Sequence, residues 1–186
     1  MNLSELVFEY NNFLDDWFCD NFIHWFYSDD TKRIRGQVLQ NGSLETNNDK
    51  KCAEQAYFNG HPMETMFISM TSDLLDAYQT HTSIPLDPLF LQDLSIKRYP
   101  KDSGFFGTHT DAGPGYASTR VVSLVVYLND VQDGGGTYFP DLDLMVKAEK
   151  GKALLFPSNY LFRHSGEIPK SNEKYSITGF WHYLNN

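Results

Sequence analysis

The sequence predicts a mainly β fold, an all-β sandwich or jelly roll with two helices packed outside it. Two observations carry this. After Pro88 the chain breaks into short runs rich in β-branched and aromatic residues: LQDLSIKRY, RVVSLVVYLND, GGGTYFP, KALLFP and KYSITGFWHYL. Short strands at close spacing, divided by turn residues, are the pattern of a sandwich or jelly roll. Before Pro88, two stretches carry apolar residues at helical spacing instead.

Taken in order, LSELVFEYNNFL reads as a short extended lead-in. In DDWFCDNFIHWFYS, residues Trp17, Phe18, Phe22, Trp25 and Phe26 share a helical face, with Asp15 or Asp16 as the N-cap. His24 reads as a helix-surface or partly buried histidine. Residues 41–60, NGSLETNNDKKCAEQAYFNG, are polar and turn-rich and are expected to form a mobile loop region. HPMETMFISMTSDLLDAYQTH predicts a second helix with Pro62 in its first turn, flanked by His61 and His81. RVVSLVVYL is apolar on both faces, as a central strand covered on both sides must be. No repeat or linker divides the chain. The expectation is one domain over 1–186, with 1–88 giving helical support and substrate loops and 89–186 the jelly-roll core.

Bulk properties narrow the function. A chain of 186 residues with 41% hydrophobic and 15% aromatic content can bury a core. No apolar run approaches the roughly 18 residues of a membrane span. The first residues, MNLSELVFEYNNFLDD, lack a basic n-region, which argues against a signal peptide and for the cytoplasm. A net charge of -9 disfavours nucleic acid as partner. Cys19 and Cys52 are expected as free thiols.

The chemistry concentrates in FFGTHTDAGPGY. Residues two apart on an extended chain point to the same face, so His109 and Asp111 can aim an imidazole and a carboxylate at one point. Taken alone, that pair reads better as a polar turn with a capping Asp. His164, after the apolar run KALLFP, adds a third donor. Two His and one carboxylate form a facial triad suited to iron(II), although three such ligands plus water also describe a catalytic zinc site. Lys174 follows His164 by ten residues across the turn-rich SGEIPKSNEK, which reads as a hairpin placing the two on adjacent antiparallel strands. Alternation along KYSITGFWH sets Lys174, Ser176, Thr178 and Phe180 on one face. An inward ammonium is costly unless an anion binds there. Tyr127 is placed to donate its phenol to the same anion. Alternation from Tyr99 turns Lys97 inward as well, with no role to explain it.

HTD, then His164, then a lysine ten residues on, resembles the Fe(II)- and 2-oxoglutarate-dependent dioxygenases of the prolyl 4-hydroxylase type. The resemblance runs from about Leu91 to Tyr183. It includes Tyr99 ten residues before His109, Arg120 leading a strand that ends VYLND, the glycines before TYFP, and GKALLFPS before the last His. NNFLDDWFCDNFI also looks like the family's N-terminal strand and helix. The resemblance implies a double-stranded β-helix with His109, Asp111 and His164 on iron. It implies Lys174 on the distal carboxylate of 2-oxoglutarate, aided by Tyr127 and Thr178, and Tyr99 near the metal. Fe(II), 2-oxoglutarate and O2 are the implied cofactors, with ascorbate as a further one. The implied reaction couples decarboxylation of 2-oxoglutarate to succinate with C–H hydroxylation, and the implied partner is a proline-containing peptide or protein. Arg120 matches a position at the substrate mouth. AGPGYAST and residues 41–60 are expected to clamp the substrate, with Tyr116, Tyr57 and Phe58 as contacts. The net charge favours a neutral or basic peptide. Two alternatives stay open: a small-molecule or other side-chain hydroxylase on the same scaffold, and a non-catalytic cupin-like metal-binding module.

Overall fold

A computed structural model describes residues 2–40, 43–86 and 88–183. Two antiparallel sheets carry the fold. The larger runs β1 (Phe8–Tyr10), β12 (Ala153–Pro157), β9 (Arg120–Tyr127), β14 (Lys174–Tyr183), β7 (Leu89–Tyr99), β6 (Glu54–Tyr57), β2 (Ile34–Arg35). The smaller runs β11 (Leu144–Val146), β10 (Thr137–Phe139), β13 (His164–Gly166), β8 (Phe105–His109), β5 (Lys51–Cys52). β3 (Gln37–Gln40) and β4 (Ser43–Thr46) pair with each other.

Both helices form where their signals lie. α1 (Asp16–Phe26) is capped by Asp15, whose carboxylate accepts from Phe18 N at 2.9 Å. α2 (Pro62–Thr82) starts on the proline, with His61 Nδ1 accepting from Met63 N at 3.2 Å. His81 contacts Glu5 O through Nε2 at 3.0 Å, and His24 is exposed. None of these three histidines joins a metal-binding group among the described residues.

Strand alternation divides the interior into two compartments. Outward residues of the large sheet (Leu94, Ile96, Leu124, Val126, Ile177, Trp181) pack with Phe22, Phe26, Phe67, Leu74 and Tyr78 beneath the helices. Tyr127, Phe139, Val146, Leu154 and Phe156 form a second cluster between the sheets. β9 lies between β12 and β14 with five of its eight residues buried and none exposed, as its apolar faces require.

Three expectations change. The lead-in opens with a 3-10 turn, Leu3–Leu6, before β1 pairs with β12. Residues 41–60 are largely strand: β5 pairs β8, and β6 pairs β7. Residues 41 and 42 lie outside the described residues. The polar composition misled because these strands are short, and β5 sits at the edge of its sheet, where one flank is left unpaired. Strands from both sides of residue 88 therefore share both sheets. Finally, His164 and Lys174 are not on adjacent strands. β13 belongs to the small sheet and β14 to the large one. The connection between them crosses over because it pairs with the glycine turn, through Glu167 N→Gly136 O (2.9 Å), Lys170 N→Asp133 O (2.8 Å) and a bridge between Gly134 and Pro169.

Candidate active site

β8 ends on His109, and β13 begins on His164 directly opposite it in register. The small sheet thus sets two imidazoles side by side, ring centroids 4.3 Å apart. Asp111, just past β8, completes the group, and one ligand atom from each residue lies within 4.8 Å of the others. Asp111 Oδ1 is 3.5 Å from His109 Nε2, and Oδ2 is 3.5 Å from His164 Nε2.

The hydrogen bonds fix which nitrogens face inward. His109 Nδ1 lies 2.9 Å from Gly107 O, and His164 Nδ1 lies 3.1 Å from Phe162 O. A carbonyl only accepts, so both Nδ1 atoms donate and both Nε2 atoms face Asp111. Phe106 stacks on the His109 ring at 3.5 Å. Burial, then His109, pushes His164 down to about 4, leaving it neutral at neutral pH. Burial alone would raise the Asp111 carboxyl. The two imidazoles and the Ser123 hydroxyl, which donates to Oδ2 at 2.7 Å, outweigh it and hold the group well below the usual carboxylate range. A neutral His164 and an ionised Asp111 are the protonation states that a divalent metal needs of those two ligands.

Across the gap stands the large sheet. Lys174 is 3% exposed, and its Nζ donates to Gly135 O at 2.7 Å. The ammonium lies 4.8 Å from the Tyr99 ring and 5.6 Å from the Tyr127 ring. Burial, then Lys97, pushes it down to about 7. Lys174, Ser176, Thr178, Tyr99 and both histidines line one narrow recess of about 40 Å³. The alternation read along KYSITGFWH therefore matches the structure. Tyr127 hydrogen-bonds Thr137 Oγ1 at 2.7 Å, and Thr178 meets Ser95 Oγ at 3.3 Å.

A larger cavity of about 540 Å³ opens from His109 and Asp111 to the surface. Tyr57, Tyr116 and Arg120 all line it. Arg120 donates to Asp111 O (3.1 Å) and Asp93 Oδ2 (2.8 Å), and it lies 3.8 Å over Phe180. Asp93 adopts a left-handed φ of 59° inside β7, where β14 slips register, and so turns its carboxylate to Arg120. Phe58 is a correction: it is 1% exposed and packs on Phe22, Trp25 and Phe67. One residue past Tyr57 on an alternating strand, it faces the helices.

Sequence reasoning missed Ser123, Asp93 and Lys51. Ser123 had a signal, as a lone hydroxyl in the apolar RVVSLVVYL. Lys51 and Asp93 had none. Lys97, left without a role, does point inward and lines both cavities.

Residues 94–182 match the model of the 2OG-Fe(II) oxygenase superfamily. No curated protein matches the chain. Among solved structures it resembles a viral collagen prolyl hydroxylase from Paramecium Bursaria Chlorella virus-1, at 18% identity and TM-score 0.67 over 97% of each chain. It also resembles a Pseudomonas putida prolyl-4-hydroxylase, at 15% identity and TM-score 0.71 over 99% of this chain and 98% of that one. A third is the Trichoplax adhaerens prolyl hydroxylase in complex with a hypoxia inducible factor peptide fragment, at 19% and 0.71 over 96% and 84%. At these identities the likeness is one of fold.

Proposed function

Residues 94–182 carry the sequence of a 2OG-Fe(II) oxygenase, a 2-oxoglutarate-dependent dioxygenase, and from that premise we propose that the chain hydroxylates a C–H bond of an acceptor held in its larger cavity, with a prolyl ring as the acceptor group. One observation supports this above others: the triad stands at the floor of that cavity, and a buried lysine with no carboxylate of its own stands beside it.

His109 Nε2, His164 Nε2 and an Asp111 oxygen would hold iron(II). The fit is chemical: two imidazoles, each anchored through Nδ1, and one ionised carboxylate converge from one side. Iron(II) bound there, with 2-oxoglutarate and dioxygen, supplies the oxidising equivalents for hydroxylation as 2-oxoglutarate is converted to succinate and carbon dioxide. Lys174 would hold the distal carboxylate of 2-oxoglutarate, since an ammonium buried against a single carbonyl gains most from an anion. Tyr99 and Thr178 line that recess, and Tyr127 backs it by hydrogen-bonding Thr137, which lines it, with its ring 5.6 Å from the Lys174 ammonium. Ser123 restrains Asp111, and Arg120 braces the backbone of Asp111 from the acceptor side. Tyr57 and Tyr116 frame the mouth, 40% and 53% exposed, as docking surfaces for a ring. A lysine dedicated to a co-substrate distinguishes this reading from an inert metal module. Ascorbate serves as the reductant that sustains turnover.

The test is succinate release by the full chain with Fe(II), 2-oxoglutarate and ascorbate, using blocked proline peptides against no peptide. Peptide-stimulated succinate and one added oxygen on the prolyl ring are expected. Stimulation by a free metabolite with no oxygen on any peptide would move the acceptor to the small-molecule class.

A further inference from the structure

Two lysines in the larger cavity, Lys51 and Lys97, form no ion pair with a carboxylate among the described residues, and only Asp111 of the metal-binding group attracts both. Lys51 is 2% exposed and Lys97 is 9% exposed. Lys51 Nζ donates to Gln37 O at 3.1 Å and Gln55 Oε1 at 3.3 Å, both neutral, and lies 4.5 Å over the Phe106 ring. Lys97 sits opposite Gln55 in the β6–β7 register, and no hydrogen bond or ion pair to it is found among the described residues. The nearby carboxylates are engaged elsewhere: Asp111 belongs to the metal-binding group and accepts from Ser123 at 2.7 Å, and Asp93 pairs with Arg120 at 2.8 Å.

Two buried like charges repel each other, and each loses its hydration. Packing nonetheless holds the pair in place. A Cβ on Gly36 would come within 2.9 Å of Lys51 Cε, so the lysine stem occupies the space that this glycine leaves. One carboxylate between the two ammonium groups would neutralise both. Lys97 also borders the Lys174 recess, but Lys51 lines the larger cavity and not that recess. Lys51 therefore points to the acceptor rather than to 2-oxoglutarate as the source of the anion. The local charge is opposite in sign to the chain's net -9, and at a buried site the local field decides.

We propose that Lys51 and Lys97 form a carboxylate-binding subsite, so that the acceptor carries a carboxylate close to the carbon that is hydroxylated. This rests on the reading above that the larger cavity receives the acceptor.

The experiment is anaerobic calorimetry on the full chain loaded with Fe(II) and 2-oxoglutarate, using matched pairs that differ only in charge. The pairs are N-acetyl-L-proline against its amide, N-acetyl-L-valine against its amide, and a blocked Gly-Pro-Asp peptide against Gly-Pro-Asn. The acid member of at least one pair is expected to bind about tenfold more tightly. A preference in the first two pairs locates the carboxylate on a free acid, and one in the third locates it on an acidic neighbour. Lys51→Met and Lys97→Met should each reduce the ratio to about twofold or less. Equal binding of acid and amide in every pair overturns the proposal. So does a ratio that survives in both variants, or a Lys97→Met variant that weakens 2-oxoglutarate and leaves the ratio intact. If a variant fails to fold, the ratio in the unsubstituted chain decides. The hydroxylase reading fails separately, on the absence of succinate. An acid preference without turnover would leave the subsite standing.

Discussion

At the residue scale, the site depends on a few groups whose burial makes them matter. Among the described residues Lys174 has one hydrogen-bond acceptor and no ion pair with a carboxylate, which is why we propose it as the anchor for 2-oxoglutarate. Lys174→Met should raise the 2-oxoglutarate requirement about a hundredfold or more, given that breaking a buried charge pair commonly costs about 3–5 kcal/mol. Iron should still bind, and an unchanged requirement would place the anchor elsewhere. Alanine at His109, Asp111 or His164 should each abolish turnover and lower Fe(II) affinity, measured by equilibrium dialysis. Full activity with zinc and none with iron would defeat the iron assignment. Spacing suggested that His109 and Asp111 share a face and that Lys174 faces inward, and the structure places them so; the full set of four, and the roles proposed for it, came from the family resemblance. Lys97 was half legible, since period-two alternation turned it inward. Lys51 was not, because nothing in NNDKKCAEQ separates a buried lysine from a solvated one. Only the pairing of β5 with β8 puts it inside.

At the element scale, the glycine turn before β10 does more than connect strands. Gly134 has φ +68°, and a Cβ there would lie 2.1 Å from Ile168 O; its neighbour Gly135 supplies the carbonyl that receives Lys174. Gly134→Ala should therefore lower stability by about 1–3 kcal/mol or more and also raise the 2-oxoglutarate requirement. Gly60 is the control: its φ is +76°, but nothing lies within 4 Å of the added carbon. Gly60→Ala should cost only the backbone part, and equal losses in both variants would refute the argument. This turn also explains why a hairpin between His164 and Lys174 was the wrong inference. Turn residues announce a reversal, but the partner of the reversed chain is settled by distant pairing, here Gly134 with Pro169. Residues 41–60 carry the same lesson. Shortening them would remove β5 and β6 along with any contact to substrate, so point substitutions at Lys51 are the cleaner probe.

At the scale of the whole molecule, the buried cations make stability depend on pH in an unusual direction. Burial first, then neighbouring charges, holds Lys97 at about 8 and Lys174 at about 7, below the ordinary 10.5. Between those values the unfolded chain binds more protons than the folded one, so folding stability rises with pH. Without metal or 2-oxoglutarate, the protein should gain on the order of 1 kcal/mol per pH unit from about pH 8 to 9.5, read from guanidinium midpoints. Lys174→Met should make the slope shallower without removing it, since Lys97 still contributes, and a stability of the unsubstituted chain that is level or falling over that range would contradict the argument. Adding 2-oxoglutarate should make the slope shallower too, because an anion beside Lys174 favours the charged form.

The division of the site between two sheets has a consequence in time rather than in energy. His109 and His164 belong to one hydrogen-bonded ladder and Lys174 to another, and β13 holds to β8 through only two register positions, His164 with His109 and Gly166 with Phe106. A ligand reaching from the triad to Lys174 would rivet ladders that otherwise open independently. Amide hydrogen exchange should register this. Manganese(II) alone should slow exchange in β8 and β13, while manganese(II) with 2-oxoglutarate should also slow the first residues of β14, so that strands sharing no backbone hydrogen bond come to open together.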